Sequence, residues 1–146
     1  MASMYSVAMR LAPALGIWIV ACSGGSGGGD AVSADKACSD FANAACQALS
    51  GCTAFLIQDV YGDAATCGMR LKASCSDTLA AAGTGLTPAL REGCVTALSG
   101  ASCVDLLDND FPAACQPVAG QLANGSMCGD SSQCKSAYCN LGVDGA

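Results

Sequence analysis

The apolar and polar positions divide the chain into an apolar start, a glycine-rich stretch, a region of helical periodicity and a turn-rich end. An apolar run from Leu11 to Ala21 follows one basic residue, Arg10. About eleven apolar residues are too few for a membrane span, which needs ~20. A basic start and a short apolar core that ends in small residues are typical of a secretory signal peptide, which we assign to residues 1–21.

Residues 22–32 are rich in glycine and serine, a composition that predicts a flexible tether. Ten such residues reach roughly 15 to 20 Å as a random coil. A folded domain beyond this tether would lie just clear of a lipid surface.

Between residues 33 and 116 the pattern predicts helices, because residues that cap helix N-termini precede the apolar-periodic segments. The predicted caps are Ser33, Asp63, Thr87 with Pro88 behind it, and Ser102. The helices predicted from these caps cover residues 33–49, 64–82, 87–99 and 102–108. Ser50 and Gly51 are expected to stop the first helix, and Gly68 or Ser76 to interrupt the second.

Residues 53–61 fit either a buried strand or a short helix. We choose a helix, because the flanking segments are helical and no partner strand is available. This segment is the most apolar part of the chain after the signal peptide, with Phe55, Leu56, Ile57, Val60 and Tyr61. We expect these side chains in the core, with a groove for a partner as the alternative.

Prolines and glycines recur from Phe111 onward and leave no room for a long element. The predicted fold class is therefore all-α: a small disulfide-rich helical domain over residues 33–116, followed by a short irregular cysteine-rich tail over residues 117–146.

Cysteine makes up twelve of the 125 residues that follow the signal peptide. This density in an exported chain indicates a disulfide scaffold. Large aromatic side chains are few, so covalent cross-links are expected to supply much of the stability. Apart from Cys22, the disulfide candidates are Cys38, Cys46, Cys52, Cys67, Cys75, Cys94, Cys103, Cys115, Cys128, Cys134 and Cys139.

The spacing of four of these cysteines limits their pairing. Cys38 and Cys46 lie eight residues apart, as do Cys67 and Cys75. On a helix this is ~12 Å of rise, beyond the roughly 7 Å that a disulfide tolerates between Cα atoms. Two antiparallel helices could instead be joined twice, Cys38 to Cys75 and Cys46 to Cys67. Other connectivities stay open.

The end of the apolar run, Ile19-Val20-Ala21-Cys22, resembles the bacterial lipobox. The resemblance implies that Cys22 becomes the first residue and carries a diacylglyceryl thioether and a further acyl chain such as palmitate. Two or more chains anchor a protein stably to a membrane. Ser23, where an Asp would favour inner-membrane retention, points to the outer membrane or cell surface. The alternative is an ordinary signal peptide that leaves Cys22 as a thiol.

The segment from Gly125 to Cys139, with Cys128, Cys134 and Tyr138, resembles the opening of a Dickkopf-N-like cysteine-rich module. Such modules occur in cysteine-rich lipoproteins of the myxobacterial type, where they follow a helical cysteine domain. They usually continue with further cysteines. The resemblance therefore implies a truncated module, and the odd number of cysteines places one unpaired thiol in it.

Several kinds of chemistry are disfavoured by composition. The chain has no histidine and no pair of cysteines at C-x-x-C spacing, which argues against histidine catalysis, imidazole metal sites, zinc ribbons and thioredoxin-like centres. A net charge near −7 after the signal peptide argues against nucleic acid as a partner. Asp105, Asp108 and Asp110 lack the order of an EF-hand and predict a solvated helix end rather than a calcium site.

The sequence thus predicts no catalytic residue, no metal and no cofactor. The leading interpretation is a non-enzymatic protein, anchored to a membrane through Cys22, with a structural role or an unknown protein partner at the cell envelope. The alternative is a thiol-based redox or small-ligand-binding module that uses an unpaired cysteine. Lys135, next to Cys134, is the one cation that suggests an activated thiol.

Overall fold

The structure, a computed structural model, describes residues 31–139. Signal peptide 1–21, Cys22 and most of the tether lie outside the described residues, as do the last seven residues of the tail. Over the described part the protein is a small disulfide-rich all-α fold, as predicted. The α-helices are α1 (Ala34–Cys52), α2 (Ala54–Tyr61), α3 (Ala64–Ala80), α4 (Pro88–Leu98) and α5 (Cys103–Leu107). Two short 3-10 helices follow, Ala113–Cys115 and Ser131–Gln133.

Four of the helices begin at the caps that the sequence predicts. Each cap side chain accepts the backbone N–H of the residue three positions later, which satisfies one of the free donors of the first turn. The donor–acceptor distances are 3.2 Å for Ser33, 2.7 Å for Asp63, 3.2 Å for Thr87 and 3.1 Å for Ser102. The segment 53–61 is a helix, as chosen. Two expectations were wrong: α1 continues through Ser50 and Gly51, and α3 is not interrupted at Gly68 or Ser76.

Helix α1 is the centre of the fold and packs against α2, α3, α4 and α5. It runs antiparallel to α3, because Cys38 near its start pairs with Cys75 near the end of α3, whereas Cys46 pairs with Cys67 one helix turn into α3. The double disulfide therefore fixes both the spacing and the register of the two longest helices.

Cysteine is the most frequent residue of the core in the described part of the chain. The large aliphatic side chains that are buried in the described residues are Ile57, Leu98 and Leu106. Seven cysteines are buried with them, and the partly buried Phe41 packs beside Cys94 and Leu98. Because each Cys side chain buries little area, such a core yields limited hydrophobic stabilisation, and the cross-links compensate for it.

The prediction that Phe55, Leu56, Ile57, Val60 and Tyr61 lie in the core was wrong for two of these side chains. Phe55 is 72% exposed and Val60 is 49% exposed, whereas Ile57 is buried. Helix α2 has eight residues and packs only its Ile57 side between Cys46 and Cys67, so the opposite face meets solvent.

The tail docks on the loop between α3 and α4 through backbone hydrogen bonds. The Gly85 N–H donates to the Ser132 carbonyl at 2.7 Å, and the Gln121 N–H donates to the Gly83 carbonyl at 2.8 Å. Gly85 allows this close approach, because a Cβ there would overlap the backbone of Ala119. The helical domain and the described tail are thus joined by contact as well as by the chain.

Within residues 31–139, no helix has both the length and the apolar character needed to cross a bilayer.

Candidate functional site at three cysteines of the tail

Ten of the eleven disulfide candidates are paired in the structure. The pairs are Cys38–Cys75, Cys46–Cys67, Cys52–Cys103, Cys94–Cys115 and Cys128–Cys139. The two disulfides predicted between α1 and α3 are confirmed. The other three pairs are ones that spacing alone left open.

Cys134 forms no disulfide with any cysteine of the described residues. Its side chain is only 4% exposed, and Cys139 is 8% exposed, whereas Cys128 is partly exposed. The Sγ atoms of the three residues all lie within 4.8 Å of one another. We call these three residues the sulfur cluster. A free thiol therefore lies in direct reach of a disulfide, the arrangement that thiol–disulfide exchange requires.

A tight turn around the second 3-10 helix builds one side of the sulfur cluster. Asp130 caps this helix by accepting the Ser132 N–H at 2.8 Å. The Gln133 side chain returns to accept the Gly129 N–H at 2.7 Å and the Asp130 N–H at 3.1 Å, which completes a capping box. The chain between Cys128 and Cys134 is thus folded by its own polar side chains.

Ser131 connects the two buried members of the sulfur cluster. Its carbonyl accepts the Cys134 N–H at 3.2 Å, and its Oγ accepts the Cys139 N–H at 3.2 Å. The Cys134 carbonyl in turn accepts the N–H groups of Gly120 and Ala137, both at 2.9 Å. Cys134 is therefore held by backbone hydrogen bonds on both sides, whatever its sulfur is bonded to.

A second polar feature lies where α4 meets the tail. A cavity of about 240 Å³ there is lined by Arg91, Gln116 and Asp130 among others. The Arg91 guanidinium stacks 4.3 Å from the centre of the Phe41 ring. Burial lowers the pKa of Arg91, and the negative charge of Asp130 partly opposes this effect. Arg91 thus packs α4 against Phe41 of α1 and lies close enough to Asp130 of the tail to feel its negative charge.

The remaining sequence candidates fall elsewhere. Within the described residues, the carboxylates of Asp105, Asp108 and Asp110 do not converge on one point as the ligands of a metal ion would. Asp105 lies in the first turn of α5, and Asp108 and Asp110 follow its end, where Asn109 adopts a φ of +58°. Lys135 is exposed. The predicted lipidation site, Cys22, lies outside the described residues and stays a prediction.

Sequence reasoning placed an unpaired thiol in the tail but could not say which cysteine carries it. No pattern in the sequence distinguishes Cys134 from Cys128 and Cys139, because all three are a few residues apart and any two of them could pair. The tail docks through backbone groups that every sequence carries. Ser131 adds its carbonyl and its side-chain Oγ as acceptors, and nothing in the sequence pattern shows that these reach Cys134 and Cys139.

Comparisons of the chain with protein-family models, with curated proteins and with solved structures found no match. The likeness of residues 125–139 to a Dickkopf-N-like module therefore stays a prediction from three cysteines and their neighbours.

Proposed function

We propose that this chain is a lipid-anchored protein of the cell envelope whose disulfide-braced helical domain serves protein contact. Five disulfides within 109 described residues are typical of proteins that fold outside the reducing cytosol. The lipobox-like segment before Cys22 supplies the anchor in this proposal. The exposed Phe55 is the observation that favours a contact role.

Phe55 supports this role because aromatic side chains are enriched in protein–protein interfaces, and this one is 72% exposed. Val60 on the same helix is 49% exposed. Both belong to α2, which is packed between the two disulfide-linked helices on one side only. A partner that covers α2 would bind a rigid surface and would lose little conformational entropy in the protein.

The anchor is tested by labelling cells that express the chain with palmitate, followed by membrane fractionation. The wild type is expected to take up label and to sediment with membranes, whereas Cys22→Ser is expected to do neither. Equal label on both proteins would refute lipidation at Cys22.

The contact surface is tested by site-specific photo-crosslinking in intact cells. A photoreactive residue at position 55 is compared with the same residue at Thr96, an exposed position on α4. A discrete crosslinked species is expected from position 55 and none from position 96. Identical patterns from both positions would contradict a specific contact at α2.

A second function is favoured by a separate observation, the free thiol of the sulfur cluster. In this reading the tail is a thiol module in which Cys134 is the reactive group. This function is tested by titrating the free thiols of the unfolded protein and identifying the cysteine that reacts. One free thiol per chain is expected from the tail. A tail without any free thiol would remove this function and leave the first untouched.

A further inference from the structure

The sulfur cluster holds a thiol and a disulfide within 4.8 Å of each other, inside a turn where two of the three cysteines are buried. We propose that this cluster is a site of thiol–disulfide exchange, in which Cys134 takes Cys139 as its partner and passes the free thiol to Cys128. The inference rests on the second function proposed above, because it requires an unpaired thiol in the tail.

The reaction needs no outside oxidant or reductant. Cys134 loses its proton to solvent, and its thiolate attacks Sγ of Cys139. The Cys134–Cys139 bond forms as the Cys128–Cys139 bond breaks, and Cys128 leaves as a thiolate that takes up a proton. One thiol and one disulfide are present before and after the step, so electrons and protons balance.

The direction of exchange follows from how the three cysteines are held. Ser131 binds the backbones of Cys134 and Cys139 together through its carbonyl and its Oγ, both at 3.2 Å. These two residues therefore stay side by side when the bond between their sulfurs forms. The turn between them is already closed by the Ala137 N–H, which donates to the Cys134 carbonyl at 2.9 Å.

Exposure favours Cys128 as the leaving group. Cys128 is partly exposed, whereas Cys134 is 4% exposed and Cys139 is 8% exposed. A departing thiolate is stabilised by water, and of the three sulfurs only that of Cys128 belongs to a partly exposed residue. The Cys134–Cys139 ring is shorter than the Cys128–Cys139 ring that it replaces. Because loop-closure entropy changes only slowly with length, this difference has little influence on the direction of exchange.

The exchange would convert a stored, buried thiol into one that an outside molecule can reach. The substrate class that fits is a disulfide, carried by a small molecule or by a protein. The Cys128 thiolate attacks one sulfur of that disulfide, a mixed disulfide forms at Cys128, and the other sulfur leaves as a thiolate. Cys134 is then the store and Cys128 the outlet of the same cluster.

The test maps the thiol before and after exchange is allowed. The full-length protein is held at about pH 8.5, near the pKa of a free cysteine, and then acidified, which stops exchange because the thiolate is the nucleophile. It is unfolded in acid, alkylated with N-ethylmaleimide and digested without reduction, and the labelled cysteine is read by mass spectrometry. A parallel sample receives glutathione disulfide as the probe before acidification.

We expect most of the alkyl label to move from Cys134 to Cys128, and the glutathione adduct to form on Cys128. Label and adduct that stay on Cys134, or that reach Cys139 alone, would overturn the exchange while leaving the thiol function in place. A tail without any label would remove both. Label on Cys22 is counted separately because it identifies a different peptide.

Two variants keep the result independent of exchange rates. Cys128→Ser should still form a disulfide between Cys134 and Cys139 and show no thiol in the tail. Two free thiols in that variant would overturn the proposal, because the new pair could not then form. Cys134→Ser is the matched control: it retains the Cys128–Cys139 disulfide, and it should take up neither label nor glutathione in the tail.

Discussion

The helical domain and the tail solve the same problem, a shortage of large apolar side chains, in different ways. In the domain, four disulfides link helices to each other or to the segment behind them, and their sulfurs fill much of the core. In the tail, one disulfide closes a short ring, and the tail is attached to the loop between α3 and α4 by backbone hydrogen bonds.

This difference between the two regions shows what disulfide cross-links and hydrogen bonds each allow. A disulfide in the domain holds two segments in one register, and among residues 31–139 no third cysteine converges on it. The tail disulfide has Cys134 as a neighbour, so its pairing is open to change while the hydrogen bonds keep the turn folded. A stable frame and a chemically adaptable segment are thereby combined in little more than a hundred residues.

The comparison is tested most severely by removing a disulfide of the domain. Cys52→Ala with Cys103→Ala opens a ring of 51 residues, which should cost roughly 4 kcal/mol of the free energy of unfolding. Urea unfolding followed by circular dichroism measures the loss. An unchanged midpoint would mean that helix packing, and not the cross-links, holds the domain.

The attachment of the tail is tested at Gly120. A Cβ at this position would overlap the backbone carbonyls of Ser132 and Gln133, so Gly120→Ala should weaken docking by about 1–3 kcal/mol. Hydrogen exchange should show lost protection at the Gly85 and Gln121 amides, whose bonds join tail and loop, with helicity retained. Faster exchange throughout α1 as well would show that the tail and the domain unfold as one unit.

Gly93→Ala is the matched control for that substitution. Gly93 lies inside α4, and an added Cβ would meet no atom within 4 Å. Since Ala is a better helix former than Gly, this change should raise the free energy of unfolding by about 1 kcal/mol. A loss of stability at both glycines would indicate that the Gly120 result is not specific to the tail contact.

The smallest expected effect is the pH dependence of one cap. The Thr66 N–H and hydroxyl, as hydrogen-bond donors, hold the pKa of Asp63 below its ordinary value. The stabilisation is therefore present above the unfolded pKa, about 4, and is lost as the pH falls through the folded pKa. Asp63→Asn keeps a capping acceptor but does not titrate. Below about pH 4, the melting temperature should fall more steeply with pH for the wild type than for Asp63→Asn. Parallel plots of melting temperature against pH would contradict this.

Local signals in the sequence predicted much of the domain. Ser33, Asp63, Thr87 and Ser102 each satisfy a free N–H within three residues, so their effect can be read without tertiary context. The eight-residue spacing likewise excluded closure within one helix, which suggested the pairing between α1 and α3 but left other connectivities open.

Features that depend on distant partners were not predictable. Helix α1 continues through Gly51 and ends at Cys52, which is bonded to Cys103. No local sequence pattern predicts that disulfide. Phe55 is as apolar as Ile57, and only the position of α2 between two cross-linked helices decides which of them is buried. Tail docking depends on backbone bonds across more than thirty residues of sequence, as between Gly83 and Gln121.

The disulfides of the domain also determine how the chain would carry a pulling force. A load applied between residues 33 and 117 would cross from α1 to α3 at Cys38–Cys75, follow residues 75–94, and cross again at Cys94–Cys115. Residues 39–74 and 95–114 would lie off the loaded path. Most of the domain would thus be shielded from tension, and its extension would be limited by two covalent bonds rather than by the strength of its small core.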